Sequence, residues 1–151
     1  MIKQFTMLIL AFALLSSCSN TYKEHQKIKD LKWQKTDIKT FEVNIKEDGV
    51  YNLFFTMRHS VGYPFTSIKI KIEQITPNEE IFEKNAEFAI SDENGKYTGE
   101  VVGDLWDTEN LFSENTSLKK GKYVFKISHA MNHDPVILVI DVGLVVKKVE
   151  K

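Results

Sequence analysis

The sequence predicts an all-β domain, an antiparallel β-sandwich of jelly-roll or immunoglobulin-like type, set behind an N-terminal signal peptide and a short tether. Two observations carry this prediction. Apolar residues recur at every second position in one short segment after another, and Gly, Pro, Asn or Asp turn signals separate those segments. No long stretch shows helical spacing. Seven or so short strands of this kind favour a sandwich, with a closed barrel as the alternative.

The strands are read in order. Phe41, Val43 and Ile45 alternate with Glu42 and Asn44, and Asp48-Gly49 then marks a turn, since Gly tolerates the positive φ that tight hairpins need. Tyr51, Leu53, Phe55 and Met57 share one face of a strand over residues 50–60, closed by Gly62-Tyr63-Pro64. Ile68, Ile70 and Ile72 alternate with Lys69, Lys71 and Glu73, which predicts a half-buried strand ending at Thr76-Pro77-Asn78. Ala86, Phe88 and Ile90 form a short strand before the turn at Asp92-Glu93-Asn94-Gly95. Residues 96–118 are the least regular and read as the longest loop, a length often tied to function. Tyr123, Phe125 and Ile127 make another half-buried strand. Residues 137–149 (ILVIDVGLVVKKV) begin apolar on both faces and predict a central strand, with Asp141 and Gly143 suggesting a bulge or a close backbone approach.

The N-terminus has a different character. Lys3 gives a positive start, and residues 5–15 (FTMLILAFALL) form an apolar run far short of the roughly 20 residues of a membrane-spanning helix. Leu15-Ser16-Ser17-Cys18 follows at once and looks like a bacterial lipobox, in which small residues admit the peptidase and the thiol accepts a diacylglycerol. Residues 1–17 are therefore expected to be a lipoprotein signal peptide, with Cys18 as the lipid attachment site. At about 0.8 kcal/mol per buried methylene, several acyl chains hold a protein firmly to a bilayer. Residues 18–40 read as a tether whose later part docks through Ile28, Leu31 and Trp33, and residues 41–151 as the sandwich.

Cys18 is the only cysteine, which excludes disulfides within the chain and cysteine-rich metal sites. The formal charge is −1 and the lysines are interspersed with acids, so there is no nucleic-acid footprint. His129 and His133 have the i,i+4 spacing of a helical metal pair, but they straddle a strand end and a turn at Asn132-His133-Asp134-Pro135. Asp92 and Asn94 lack the further ligands of a calcium loop. Asp104, Asp107 and Glu109 surround Trp106 in the long loop. Paired carboxylates with a Trp could serve a glycosidase, but a solvated loop with a Trp anchor, or a partner-binding loop, is the preferred reading. Arg58, the sole arginine, is expected to pair with a carboxylate. No G-x-S-x-G or Cys-His nucleophile is present. No catalytic residue, metal, cofactor or small-molecule substrate is expected.

An ordered set of short strings resembles one known family. Tyr51-Asn52-Leu53-Phe54-Phe55, Met57-Arg58 and Tyr63-Pro64-Phe65 come first, followed by Asp92-Glu93-Asn94-Gly95-Lys96 and Gly103-Asp104. Gly121-Lys122-Tyr123, Ala130-Met131 and Asp141-Val142-Gly143-Leu144 complete the series. Together with the lipobox, these resemble the gliding-motility lipoprotein GldH family of the Bacteroidota. The chain departs from the family pattern at His59-Ser60 and at His129. The resemblance implies a non-enzymatic lipoprotein required for gliding, working with other Gld proteins linked to type IX secretion. A carbohydrate- or protein-binding envelope lipoprotein is the second reading, and an envelope hydrolase a distant third. Ser19-Asn20 after the cysteine lacks an inner-membrane retention Asp, and no acidic export run follows, so an outer-membrane lipoprotein facing the periplasm is expected.

Overall fold

The computed structural model describes residues 21–150; the expected signal peptide and Cys18 lie outside them. Eleven strands run through these residues: β1 (Thr21–Lys27), β2 (Lys32–Trp33), β3 (Lys39–Ile45), β4 (Gly49–Ser60), β5 (Ser67–Ile75), β6 (Ile81–Ala89), β7 (Glu100–Val102), β8 (Leu105–Leu118), β9 (Gly121–His129), β10 (Val136–Ile137) and β11 (Val139–Lys148). The only helical turn among the described residues is a 3-10 turn at Lys29–Leu31.

One sheet has the order β1-β11-β4-β8-β7 and the other β3-β9-β5-β6, while β2 and β10 form a small ribbon. The antiparallel pairs are nested: β1 with β11, β3 with β9, β4 with β8, and β5 with β6. A long hairpin rolled into two layers gives this pairing, which makes the sandwich a jelly roll. Separate sheets with free edges rule out the closed barrel.

The predicted alternation explains the core. Phe41, Val43 and Ile45 of β3, Ile68, Ile70 and Ile72 of β5, and Tyr123, Phe125 and Ile127 of β9 turn one sheet's inner face toward Leu53, Phe55 and Met57 of β4. Trp33 stacks on Phe55 at 6.4 Å between centroids, and Phe55 on Phe88 at 6.0 Å, so an aromatic column joins β2, β4 and β6 across the layers. Each fully buried side chain of this size contributes about 1.5–3 kcal/mol.

The predicted central strand is β11, flanked by β1 and β4. Val142, Leu144 and Val146 face the core, and Val145 on the opposite face is also fully buried. A register shift between Val139 and Asp141 supplies the bulge. Gly143 supplies the close approach. A Cβ there would press on Thr56 Oγ1 and lie 2.6 Å from Glu24 O and 2.7 Å from His25 Nδ1.

Two expectations are corrected. The segment read as a tether is β1 over Thr21–Lys27, hydrogen-bonded along β11, so the sheet starts well before residue 41. Its polar sequence, TYKEHQK, hides an edge strand whose stability comes from the ladder rather than from its own side chains. Ile28 and Trp33 do dock, but Leu31 stays 39 % exposed. Residues 96–118 are not a long loop either, because they hold β7 and the longest strand, β8. The inward positions of β8 include Thr108 and Asn110, and two register shifts against β4 break its period. Polar inward residues and bulges together erase the alternation signal.

Two substitutions test this packing. Ile70→Asp places an unpartnered charge in the core and should abolish the cooperative thermal transition seen by circular dichroism. Gly143→Val should lower stability by about 1–3 kcal/mol in urea titrations, through overpacking against β1 and β4.

Candidate functional site

The four residues singled out in the sequence are not gathered into one site. Asp104 sits in the tight β7–β8 turn beside Gly103, whose φ is +63°, and its carbonyl accepts a 2.9 Å hydrogen bond from Val61 N. Trp106 is half-buried, pairs with His59 across β4, and meets the Tyr97 ring edge-on at 5.5 Å. Successive residues of a strand point to opposite faces, so Asp107 and Glu109 lie on the far side of β8 from Trp106. The sequence placed the four together; the strand separates them.

Asp107 and Glu109 belong to a polar surface on the outer face of the five-stranded sheet. Register lines up Asp141 of β11, Arg58 of β4, Asp107 of β8 and Glu100 of β7 in one row. Arg58 donates from Nε to Asp107 Oδ1 at 2.6 Å and from Nη2 to Oδ2 at 2.7 Å, the expected carboxylate pairing in its bidentate form. Arg58 Nη1 is also 3.9 Å from Asp141, whose other oxygen lies 3.4 Å from His25 Nδ1. A neighbouring row joins Glu109 to Lys147, whose Nζ sits 4.6 Å from the Phe54 ring centroid. The resulting groove, about 420 Å³, is lined by Lys23, His25, Arg58, Glu100, Asp107 and Asp141 among others. Linear spacing gave no sign of Asp141, His25 and Lys147 here, because strand register alone brings them together.

This geometry bears on chemistry. The hydrogen bonds from Arg58 hold the Asp107 carboxyl below the usual carboxylate range, and Asp107 in turn raises the Arg58 guanidinium above its own. A glycosidase general acid needs the opposite, a carboxyl raised by burial or a like charge. Trp106, packed on Tyr97, is not presented as an open stacking platform. Among the described residues no group of three His, Asp or Glu side chains is placed to hold a metal ion.

His59 and His129, the two departures from the family pattern, are both buried. His59 Nδ1 donates to Ser60 O at 3.0 Å, and the ring packs between Tyr63 and Tyr97, at 5.0 and 4.9 Å. His129 Nε2 lies 3.3 Å from Asp134 Oδ1, and its ring meets Trp33 edge-on at 5.4 Å. His133 instead packs on Phe65 at 5.2 Å, so the i,i+4 pair diverges. Burial lowers the pKa of both His59 and His129 from the ordinary value.

Comparison with known proteins adds an independent finding. The profile of a family described as GldH lipoprotein matches residues 20–146. The chain is 28 % identical over 133 residues to a gliding motility lipoprotein GldH homolog of Christiangramia forsetii, covering 84 % of this chain and 81 % of the relative. It is 26 % identical over 133 residues to the gliding motility lipoprotein GldH of Flavobacterium johnsoniae, covering 86 % and 82 %. Among solved structures, a Sulfurospirillum deleyianum protein aligns over 86 % of this chain and 99 % of its own, with 16 % identity and a TM-score of 0.42.

The buried histidines set a pH dependence. An unfolded histidine titrates near 6.5, and in the folded chain both pKa values are lower, so between the two values the unfolded state binds more protons. Stability is therefore complete above about pH 6.5 and declines as the pH falls below it. The urea midpoint should drop between pH 7.5 and pH 5.5, and the double variant His59→Gln/His129→Gln should flatten that drop. The Arg58–Asp107 pair does not contribute in this window, because its carboxylate protonates only below the ordinary Asp range.

Proposed function

Because the chain belongs to the GldH lipoprotein family, we propose that it is a non-enzymatic, lipid-anchored component of the gliding apparatus, acting by contact with other Gld proteins and the type IX secretion machinery. The match over residues 20–146, most of the chain, carries this reading. Both GldH relatives are named as gliding-motility lipoproteins, and Leu15-Ser16-Ser17-Cys18 supplies the attachment site that such a protein needs. The proposed location is the outer membrane, facing the periplasm.

The groove chemistry agrees with a contact role. Asp107 and Glu109 are held by Arg58 and Lys147, so they serve the sheet surface rather than an acid–base pair. The β7–β8 turn is the better candidate for partner contact. Val61, Val101 and Val102, exposed by 54, 55 and 66 %, cluster around it, and apolar side chains that solvent would otherwise wet gain most from a partner. Asp104 lies at the same turn. A carbohydrate- or protein-binding module remains the second reading, and an envelope hydrolase the third.

Lipidation, deletion and complementation experiments test this reading. Intact-mass analysis should show a chain beginning at a lipidated Cys18, and Cys18→Ala should shift the protein out of the membrane fraction. Deleting the gene should stop cell movement and colony spreading. Complementation with Asp107→Asn and Glu109→Gln combined should restore gliding, whereas a hydrolase using these carboxylates would not be restored. Val102→Asp should fold normally but fail to complement, since an anchor residue at an interface can be worth more than about 2 kcal/mol. Full gliding in that variant would exclude the turn as the partner surface.

A further inference from the structure

One end of the jelly roll is built as a plate. The β3–β4 turn is tied to the β8–β9 turn, because Asp48 accepts from Lys120 N at 2.8 Å and from Lys119 Nζ at 3.1 Å. The β8–β9 turn in turn lies against the β5–β6 turn, since a Cβ on Gly121 would meet Pro77 at 2.6 Å. The C-terminal segment is joined by Val149 N donating to Val50 O at 2.8 Å. The first described residue, Thr21, stands at this same end, paired with Lys147.

Only Ser19 and Asn20 separate Thr21 from Cys18. Three Cα–Cα steps span at most about 11 Å. The headgroup layer outside the hydrocarbon is about 5–8 Å thick on each side of a bilayer. A domain whose first strand begins that close to a lipidated residue has no room to stand clear of the surface. We propose that this plate, the β3–β4, β5–β6 and β8–β9 turns with the C-terminal segment, seats on the lipid headgroups of the membrane that holds the chain's own acyl groups. The opposite end, with the β7–β8 turn, then points away from it. The inference rests on Cys18 carrying lipid, as in the reading above.

Charge and direction favour this end-on pose. The plate carries both signs side by side, with Lys119 paired to Asp48 and Lys148 to Glu47, so it presents a mixed surface suited to zwitterionic headgroups rather than a single repelling field. β1 leads straight away from the plate, and its seven residues rise about 20 Å. The alternative is a domain lying on the β1 flank, where Lys23, Lys27 and Lys29 could meet lipid phosphates. That flank also carries Glu24, which among the described residues accepts from Tyr22 and Gln26 and forms no ion pair, and which phosphates repel.

The test uses the full lipidated protein in phosphatidylethanolamine–phosphatidylglycerol vesicles that contain a headgroup spin-labelled lipid. Lipidation consumes the Cys18 thiol, so Asn78→Cys, Asp104→Cys and Lys29→Cys each take one fluorophore. The Asn78 label should be quenched several-fold more than the labels at Asp104 and Lys29. Quenching at Lys29 equal to or stronger than that at Asn78 would overturn the proposal in favour of the flank, and equal quenching at all three, or strongest quenching at Asp104, would overturn it outright. Flotation of the same vesicles separates the premise from the pose. Protein that fails to float lacks the lipid, which sinks the lipoprotein reading and the proposal together, while floating protein with the wrong pattern sinks the pose alone.

Discussion

The pairing of β1 along β11 is the constraint on which the rest of the structure depends. It joins the two ends of the described chain in one sheet and completes the nested pairs of the jelly roll. It also places β11 centrally, buried on both faces, where an unpaired backbone would be costly. Gly143 makes this possible, because any side chain there would collide with β1 and β4 together. The same strand pair would set where lipid carried on Cys18 sits relative to the domain, since β1 starts three residues after it.

From that pair the outer surface of the sheet follows. Register brings His25, Asp141, Arg58 and Asp107 side by side from four strands, and the bidentate guanidinium fixes the carboxylate that might otherwise have served chemistry. The surface is partly solvated, so these ion pairs add specificity of register more than stability. The interior supplies the stability, through Trp33, Phe55 and Phe88 stacked between the layers. The buried His59 and His129 are set into that aromatic core, where burial disfavours their charged forms, which ties its stability to pH.

The two ends of the sandwich differ in a way that suits a tethered contact protein. At the end where β1 begins, turns are tied to one another by Asp48 and by Pro77 packed at Gly121. At the far end Val61 and Val102 stand in solvent next to a short two-residue turn. Exposed apolar side chains stand at both ends, Ile81 and Phe82 beside the β5–β6 turn and Val61 and Val102 beside the β7–β8 turn.

The sequence alone determined the fold class and most of the strands, because each of these is a local signal: period-two alternation or a turn residue. Ile68–Ile72 and Tyr123–Ile127 were legible since one face meets the core and the other water. The family resemblance was legible too, since it rests on ordered strings. Tertiary structure alone decided that TYKEHQK is a strand, because its partner lies more than a hundred residues away and most of its side chains, Tyr22 and Gln26 apart, stay exposed. It alone decided that residues 96–118 are mostly strand, because Thr108 and Asn110 occupy inward positions. It alone dispersed Asp104, Trp106, Asp107 and Glu109 to a turn and two faces, because a strand alternates what a linear reading groups. Spacing along a chain reports local periodicity, while a site on a sheet is made by register between strands distant in sequence.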